Sequence, residues 1–399
     1  MQKIRNPKSE IQNLFVSGRI EFLGKHTDYC GGRSLVCPVE RGFRLSFREN
    51  EDQLINLENA NSGEKVFFEF SENLSISENH WQKYPQTVAR RAARNFKSKK
   101  LKGVDIKFQS DLPQAAGLSS SSAFMIAVFR AIAKVNELDN FEEFRANIQN
   151  DLELAEYLGC VENGQSFRAL SGDKGVGTFG GSQDHAAILC GKQGVLSQFS
   201  FAPVVLEKEI VLPQEYCFVI ASSGITAEKT GAVMEKYNRV SRLVSEIVNA
   251  WKGAEKTLAE IVENVGLDGV KRFIAENDFA FPKAELTNRV EQFYVESFEI
   301  IPKVSAFLEN GEVERIGELI DISQQNAERF LRNQTPETIY LQRSAREFGA
   351  IASSGFGAGF GGSVYALVKK TESEIFAAKW KTDYLKKFPH LVQKAEVFI

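Results

Sequence analysis

The chain has 399 residues, which is enough for about two domains of ordinary size. Hydrophobic residues make up 43% and charged residues 25%, as is ordinary for a soluble globular protein. The net charge of -3 does not favour binding to nucleic acid or to an anionic membrane surface, both of which attract positively charged proteins.

Processing and redox signals are weak throughout the sequence. The polar N-terminus lacks the apolar core of a signal peptide, and no apolar run is long enough to span a bilayer. The five cysteines are scattered and form no C-x-x-C pair. We therefore expect a reduced, cytoplasmic protein without structural zinc, nucleic-acid partners or membrane partners.

A charged turn framed by glycines comes first along the chain. Residues 17–32, SGRIEFLGKHTDYCGG, crowd Arg19, Lys25, His26 and Asp28 into one short segment. Such side chains on a tight turn suit recognition of a polyhydroxylated ligand, whose hydroxyls need paired donors and acceptors. An ordinary charged turn is the alternative interpretation.

The rest of the first half mixes strands and helices. Alternation of apolar and polar residues predicts strands, and longer amphipathic runs predict helices. The predicted strands are 44–47, 65–70, 104–108, 195–199 and 209–212, and the predicted helices are 81–95, 123–138 and 141–158.

A loop of small residues and hydroxyls, PQAAGLSSSSA at 113–123, joins the strand at 104–108 to the apolar helix at 123–138. A Gly/Ser loop that opens a helix offers unpaired backbone N–H groups and the positive end of the helix dipole, which suit a phosphate. A serine helix cap is the alternative, but one serine would meet that need and four follow Leu118.

A single carboxylate, Asp184, follows the Gly/Ser loop at 177–182 and precedes the apolar run at 186–189. As a lone signal, an aspartate there would be a cap or a turn former. Two G-x-G-x-x-G matches, at 175–180 and 357–362, lack the preceding strand and following helix of a dinucleotide site. The Walker A pattern is also absent.

The second half begins with a predicted strand at 216–221 and ends with strands at 363–368 and 395–399. Between them we predict long amphipathic helices, and the pattern as a whole is α+β with a boundary near 203–213. We predict domains over 1–205 and 206–399. The predicted helices of this half are 229–250, 284–295, 300–310, 315–331 and 372–387.

Three segments together resemble one family, the GHMP kinases, and within it the galactokinases. The segment 18–32 is similar to the N-terminal galactokinase signature, 113–123 is similar to the ATP loop, and GFGAGFGGS at 355–363 is similar to the third glycine motif. The resemblance implies a two-domain GHMP kinase fold, with a ribosomal protein S5 domain 2-like N-terminal domain and a ferredoxin-like C-terminal domain.

The resemblance also implies roles for individual residues. Arg19 matches the arginine beside the transferring phosphate, and Asp184 matches the aspartate that faces the sugar hydroxyl. Glu162, with Ser120 or Ser121, is the candidate Mg²⁺ site. Sugar contacts are expected from Lys25, His26, Asp28, Gly181 and Tyr237, and ATP contacts from Pro113, Gly117, Leu118, Ser119, Ser120, Ser121 and Ser122.

The expected activity is ATP-dependent phosphorylation of the anomeric hydroxyl of a monosaccharide, with galactose placed ahead of other sugars. Two departures bear on the sugar: Lys25 stands where galactokinases typically carry Glu, and His185 stands where glutamine is usual. Lysine donates only, so it could serve a neutral hydroxyl or a uronic acid carboxylate. Another sugar such as a uronic acid or a pentose, or a non-catalytic sugar sensor, remain the alternatives.

Overall fold

The computed structural model describes residues 10–78, 81–113, 116–225 and 231–399. They fall into two compact units. Unit 1 comprises the described residues up to Gly18, Val39–Leu112 and Ser120–Cys190; unit 2 comprises Arg19–Pro38, Pro113–Ser119 and Gly191–Ile399. The domains 1–205 and 206–399 stay a prediction.

Two long strands pass through both units along the chain. They are β1 (Gln12–Leu23) and β2 (Arg33–Glu49), which pair with each other. In unit 1, residues 43–49 of β2 pair antiparallel with β5 (Val104–Ser110), and β5 pairs parallel with β3 (Leu54–Asn59). The strand β4 (Lys65–Glu69) pairs antiparallel with β3.

The helices of unit 1 pack around one almost wholly buried helix, α2 (Ser120–Asn136). The segment from Ala123 to Phe129 is at most 3% exposed, as its run of apolar residues predicts. It packs against α1, α4, α5 and β5. The remaining helices of the unit are α1 (Lys83–Asn95), α3 (Glu142–Asn147), α4 (Asp151–Asn163) and α5 (Gln183–Cys190).

Unit 2 contains β6 (Val195–Ser200), which pairs antiparallel with β7 (Val205–Val211) and with residues 33–36 of β2. A second sheet is antiparallel throughout its described strands, in the order β11-β8-β10-β9. These strands are β8 (Tyr216–Ser222), β9 (Ala352–Phe356), β10 (Ser363–Lys369) and β11 (Glu396–Phe398).

The helices α6 to α12 belong to unit 2. Two π-helical segments, Val295–Ile300 and Ala327–Leu331, continue α8 and α10. The helices are α6 (Gly231–Ala250), α7 (Leu258–Glu276), α8 (Lys283–Tyr294), α9 (Ile301–Glu309), α10 (Gly317–Asn326), α11 (Pro336–Glu347) and α12 (Ser373–Lys387). Within the described part of the chain, no helix has both the length and the apolar character needed to cross a bilayer.

One predicted helix, 141–158, is wrong as a single element. The structure breaks it into α3 and α4, and the side chain of Asn150 accepts a hydrogen bond from the backbone N–H of Glu153 at the start of α4. An N-cap of this kind competes with helix continuation because it satisfies the first free N–H groups. The first two residues of the helix predicted at 229–250 lie outside the described residues.

Candidate functional site

The serine loop begins in unit 2 and holds two of the features expected of an anion site. Gly117 has φ +78° and Ser119 has φ +58°, which is uncommon for a residue with a side chain. The Ser119 hydroxyl is buried and has no hydrogen-bond partner among the described residues. Strained backbone and an unsatisfied buried polar atom are typical of a site completed by a ligand. Gln114 and Ala115 lie outside the described residues.

Arg19 lies on β1, so residues 17–23 of the segment expected to be a turn are strand, and the turn itself spans residues 24–32. Within unit 2, Arg19 connects this strand to the serine loop. Its backbone N–H donates to the carbonyl of Leu118 at 3.1 Å, and its guanidinium donates to the carbonyl of Gly117. The side chain is 3% exposed. A guanidinium is always protonated in proteins and carries five donors, so Arg19 brings a fixed positive charge to the edge of the loop.

The third glycine motif packs directly on the serine loop, also within unit 2. A Cβ on Gly117 would lie 3.0 Å from the carbonyl oxygen of Phe356, and a Cβ on Gly357 would lie 2.8 Å from the carbonyl oxygen of Gly117. The backbones of the serine loop and of the third glycine motif are therefore in direct contact. Positions 117 and 357 both need glycine, because a side chain at either would push the two loops apart.

The expected sugar residues of unit 2 converge on His26. Its Nδ1 lies 2.9 Å from the Tyr29 hydroxyl, and its Nε2 lies 3.2 Å from the carbonyl oxygen of Ala358 in the third glycine motif. The ring centroid of Tyr237 on α6 is 5.3 Å from that of His26. Asp28, half-buried, accepts the Tyr29 backbone N–H at 2.9 Å.

Lys25 is oriented differently from its neighbours. It is 1% exposed, and its Nζ donates to the hydroxyl of Ser323 on α10 at 3.1 Å. Among the described residues no carboxylate forms an ion pair with it. In this structure the ammonium is therefore directed to the interior of unit 2, and its expected role as a sugar contact stays a prediction.

Unit 1 gathers the acidic candidates around one hydroxyl. The Ser122 Oγ donates to Glu162 Oε2 at 2.8 Å and lies 3.4 Å from Asp184 Oδ2. His185 Nε2 is 3.5 Å from the same oxygen of Glu162. Ser122 is in the first turn of α2, Glu162 is near the end of α4, and Asp184 is in the first turn of α5.

This oxygen cluster matches the ligand preference of Mg²⁺. Mg²⁺ is usually bound by one or two carboxylates and completes its shell with water and substrate phosphate oxygens. Two carboxylates and a hydroxyl meet here, and no group of three or more His, Cys, Asp or Glu side chains that could enclose a metal is found among the described residues. The set therefore fits a Mg²⁺ that is shared with a phosphate.

The expected site residues are divided between the units. Ser122, rather than Ser120 or Ser121, makes the hydroxyl contact with Glu162. Gly181 is half-buried and precedes α5, and Pro113 is half-buried at the end of the described segment 81–113. Unit 2 holds Arg19, Lys25, His26, Asp28, Pro113, Gly117, Leu118, Ser119 and Tyr237; unit 1 holds Ser120, Ser121, Ser122, Glu162, Gly181 and Asp184.

Sequence reasoning missed the residues that support the turn. Arg289, Gln292 and Glu296, on α8 and the π-helical segment after it, bond the backbone of residues 24–26. They are spaced as ordinary polar residues of a helix, so nothing in the sequence indicates that they are buried against a turn more than 250 positions away.

Models of three protein families match this chain. The galactokinase galactose-binding signature matches residues 8–49, the GHMP kinases N terminal domain matches 84–192, and the GHMP kinases C terminal domain matches 304–386. The matched segments thus include residues 17–32, the serine loop and Asp184.

Curated relatives match over nearly the whole chain. A galactokinase from Clostridium beijerinckii is 27% identical, covering 97% of this chain and 95% of its own length. A galactokinase from Actinobacillus pleuropneumoniae serotype 5b is 25% identical, covering 90% and 86%.

Solved structures have a similar fold. Lactococcus lactis galactokinase complexed with galactose superposes with a TM-score of 0.78 at 21% identity, covering 98% of this chain and 93% of its own. Methanococcus jannaschii mevalonate kinase gives 0.58 at 16% identity, covering 98% of each chain.

The buried thiol of Cys30 provides a chemical test of how tightly the turn is packed. Burial raises the pKa of Cys30 to about 12, although the Arg289 guanidinium opposes the rise. Against an ordinary value of 9.0 this leaves about a thousandfold less thiolate at pH 8, where thiolate is the reactive form. We expect iodoacetamide to label Cys30 about a thousandfold more slowly in the native protein than in urea, measured by peptide mass mapping. Equal labelling rates would contradict this packing.

Proposed function

This chain belongs to the GHMP kinase superfamily, and we propose that it is an ATP-dependent sugar 1-kinase that converts galactose to galactose 1-phosphate. The expected two-domain GHMP kinase fold is confirmed by the family matches and by the structural neighbours. Kinase chemistry implies ATP as the phosphoryl donor. The galactose-binding signature over residues 8–49 supports galactose as the acceptor.

The observation that carries the proposal is the contact between Arg19 and the serine loop. Arg19 belongs to the segment matched by the galactose-binding signature, and Gly117 belongs to the segment matched by the kinase N-terminal model. The hydrogen bonds from Arg19 to Gly117 and Leu118 therefore join a sugar-recognition segment to a phosphate-loop segment within unit 2.

Phosphoryl transfer asks a protein mainly for alignment and for positive charge around the moving group. We assign Arg19 to the transferring phosphoryl, where its charge offsets the charge on the equatorial oxygens. The loop backbone from Gly117, with the N-terminus of α2, is assigned to the nucleotide phosphates, as N–H groups and the helix dipole favour anions.

Asp184 is assigned as the general base. It would accept the proton of the anomeric hydroxyl as that oxygen bonds to the γ-phosphorus and the bond from phosphorus to the bridging oxygen of ADP breaks. The Ser122 hydroxyl has a single proton, which can be donated either to Glu162 at 2.8 Å or to Asp184 Oδ2 at 3.4 Å. His26, Asp28, Gly181 and Tyr237 are assigned to the sugar hydroxyls.

Mg²⁺ is part of the proposal because the oxygen cluster of unit 1 fits it. Glu162 and Ser122 would hold the ion, and Mg²⁺ supplies charge neutralisation for the phosphate oxygens when bound. The pairing of Glu162 with Ser122 favours that serine over Ser120 and Ser121.

The activity is tested by ADP release over a panel of galactose, glucose, galacturonate and arabinose, with ATP and Mg²⁺. We expect turnover with galactose that exceeds the other sugars by at least about tenfold in kcat/KM, since a misplaced or missing hydroxyl leaves site donors unpaired. Turnover only with galacturonate would replace galactose as the substrate. Tight binding of ATP and sugar without turnover would favour a sensor.

Replacing Asp184 by Asn tests the base. The substitution keeps the shape and removes proton acceptance, so we expect kcat to fall by about 10²–10⁴-fold with little change in thermal stability. Asp151→Asn is the matched control, because Asp151 is an exposed aspartate in the first turn of another helix of unit 1. Near-normal turnover of Asp184→Asn would remove it as the base.

Replacing Glu162 by Gln tests the metal assignment. We expect the Mg²⁺ concentration for half-maximal rate to rise by at least about tenfold, since Mg²⁺ prefers charged oxygen ligands. The control is Glu156→Gln, on the same helix and half-buried. An unchanged Mg²⁺ dependence in Glu162→Gln, measured by titration at saturating ATP and galactose, would contradict the assignment.

A further inference from the structure

Three buried polar side chains lie on α8 and on the π-helical segment that continues it. Arg289 and Gln292 are each 1% exposed and Glu296 is 0% exposed. We call these three residues the polar face of α8. All of their contacts described below lie within unit 2.

The polar face hydrogen-bonds the backbone of three consecutive residues of the turn. Glu296 Oε1 accepts from the backbone N–H groups of Gly24, at 2.9 Å, and Lys25, at 3.4 Å. Gln292 Nε2 donates to the carbonyl of Lys25 at 3.2 Å. Arg289 donates to the carbonyl of His26. Each of the three side chains therefore forms a hydrogen bond with a main-chain atom of the turn.

The polar face is itself internally connected, and the Arg289 guanidinium reaches further into the turn. Arg289 donates to Gln292 Oε1 at 2.6 Å, to Cys30 Sγ at 3.0 Å and to the Tyr29 hydroxyl at 3.4 Å. The hydroxyl of Tyr29 is also the group that lies 2.9 Å from His26 Nδ1. Arg289 thus touches both the backbone of His26 and the partner of its ring.

The π-helical segment Val295–Ile300 extends this support to the far end of the turn. Ser297 Oγ accepts the backbone N–H of Arg33 at 2.8 Å, and a Cβ on Gly32 would lie 2.7 Å from the same oxygen. The wider π turn places Glu296 and Ser297 along the chain from Gly24 to Arg33. Single π turns inside α-helices occur frequently at functional sites.

The turn needs this support because its backbone is strained at His26. His26 has φ +58°, a conformation that is unfavourable for a residue with a Cβ and persists only where the surroundings impose it. The peptide groups on either side of the His26 α-carbon are fixed by the polar face, through the Lys25 carbonyl and the His26 carbonyl.

Burying the polar face also costs free energy, because its polar and charged groups are removed from water. Within the part of the chain that the structure describes, Glu296 Oε2 and Arg289 Nε are buried without a hydrogen-bond partner, and the ion pairs found there contain neither residue. Apolar side chains of similar volume would fill the same space without buried charges, so simple packing does not account for these residue types.

We propose that Arg289, Gln292 and Glu296 are positioning residues for sugar recognition, which hold His26 in its left-handed conformation. The inference rests on the proposed function, because it takes residues 24–28 as part of the sugar site. Loss of the polar face should weaken sugar binding and leave ATP binding unchanged. The reason is that none of the three residues contacts the serine loop among the described hydrogen bonds.

The test compares Glu296→Ala, Glu296→Gln and a control, Glu299→Ala, in the full chain. Glutamine keeps an acceptor for Gly24 and Lys25, whereas alanine removes it. Glu299 is on the same π-helical segment and is half-buried, without a hydrogen bond to the turn. KM for galactose, KM for ATP, the thermal midpoint and the labelling rate of Cys30 by iodoacetamide are measured for each variant.

We expect Glu296→Ala to raise KM for galactose by at least tenfold, to leave KM for ATP within twofold and to accelerate Cys30 labelling. For both Glu296→Gln and Glu299→Ala, we expect KM for galactose and KM for ATP to stay within threefold of the values of the unaltered protein. A lowered thermal midpoint with both KM values unchanged would overturn the inference and leave a structural role. An equal rise in both KM values would also overturn it.

If Glu296→Ala does not fold, Gln292→Leu replaces it and removes both the donor to the Lys25 carbonyl and the acceptor of the Arg289 guanidinium. A rise in KM for galactose alone supports the inference, and unchanged values overturn it. The proposed function fails separately: absence of turnover by the unaltered protein with every sugar of the panel contradicts the kinase assignment, whereas active protein with indifferent variants contradicts only the positioning role.

Discussion

The fixed charge of Arg19, held on the carbonyls of the serine loop, is the constraint on which the candidate site of unit 2 depends. A guanidinium cannot lose its proton in the protein, and its donors are already committed in part to Gly117. Movement of the loop away from β1 would break the hydrogen bonds that buried Arg19 donates to Gly117 and Leu118, which is costly. Through this one side chain the conformation of the segment matched by the galactose-binding signature depends on that of the serine loop.

The site is built from backbone in unusual conformations and from side chains that hold it there. Ser119 and His26 both occupy the left-handed region. Ser119 lies in the segment matched by the GHMP kinases N terminal domain, and His26 lies in the segment matched by the galactose-binding signature. The surrounding contacts differ in kind. Glycines at 117 and 357 allow two loops to touch, whereas α8 offers polar side chains to the turn. Both arrangements keep strained backbone in place before any ligand arrives.

Local patterns predicted the strand and the helix on either side of the serine loop, because periodicity reports burial on one face. They missed β1, which carries Arg19, because its residues 17–23 fall within the segment predicted to be a turn. The strand predicted at 104–108 lies within β5, and the helix predicted at 123–138 matches α2 except for its last two residues. The family resemblance assigned the serine loop and Asp184 from short motifs. The break at Asn150 was missed because a cap acts through a single side chain. Contacts across the sequence could not be predicted: nothing in the spacing of Arg289 or Glu296 indicates a partner more than 250 positions away.

The touching glycines at 117 and 357 have a consequence for how the protein is made. Strand β9 ends at Phe356, close to the end of the chain, and it supplies the carbonyl that Gly117 packs against. During synthesis the serine loop emerges long before that strand does, so it lacks this packing partner while the intervening residues, about 240, are translated. Completion of the serine loop is therefore a late event of folding, and a nascent chain interrupted before β9 would lack its packing partner even where α2 has already formed.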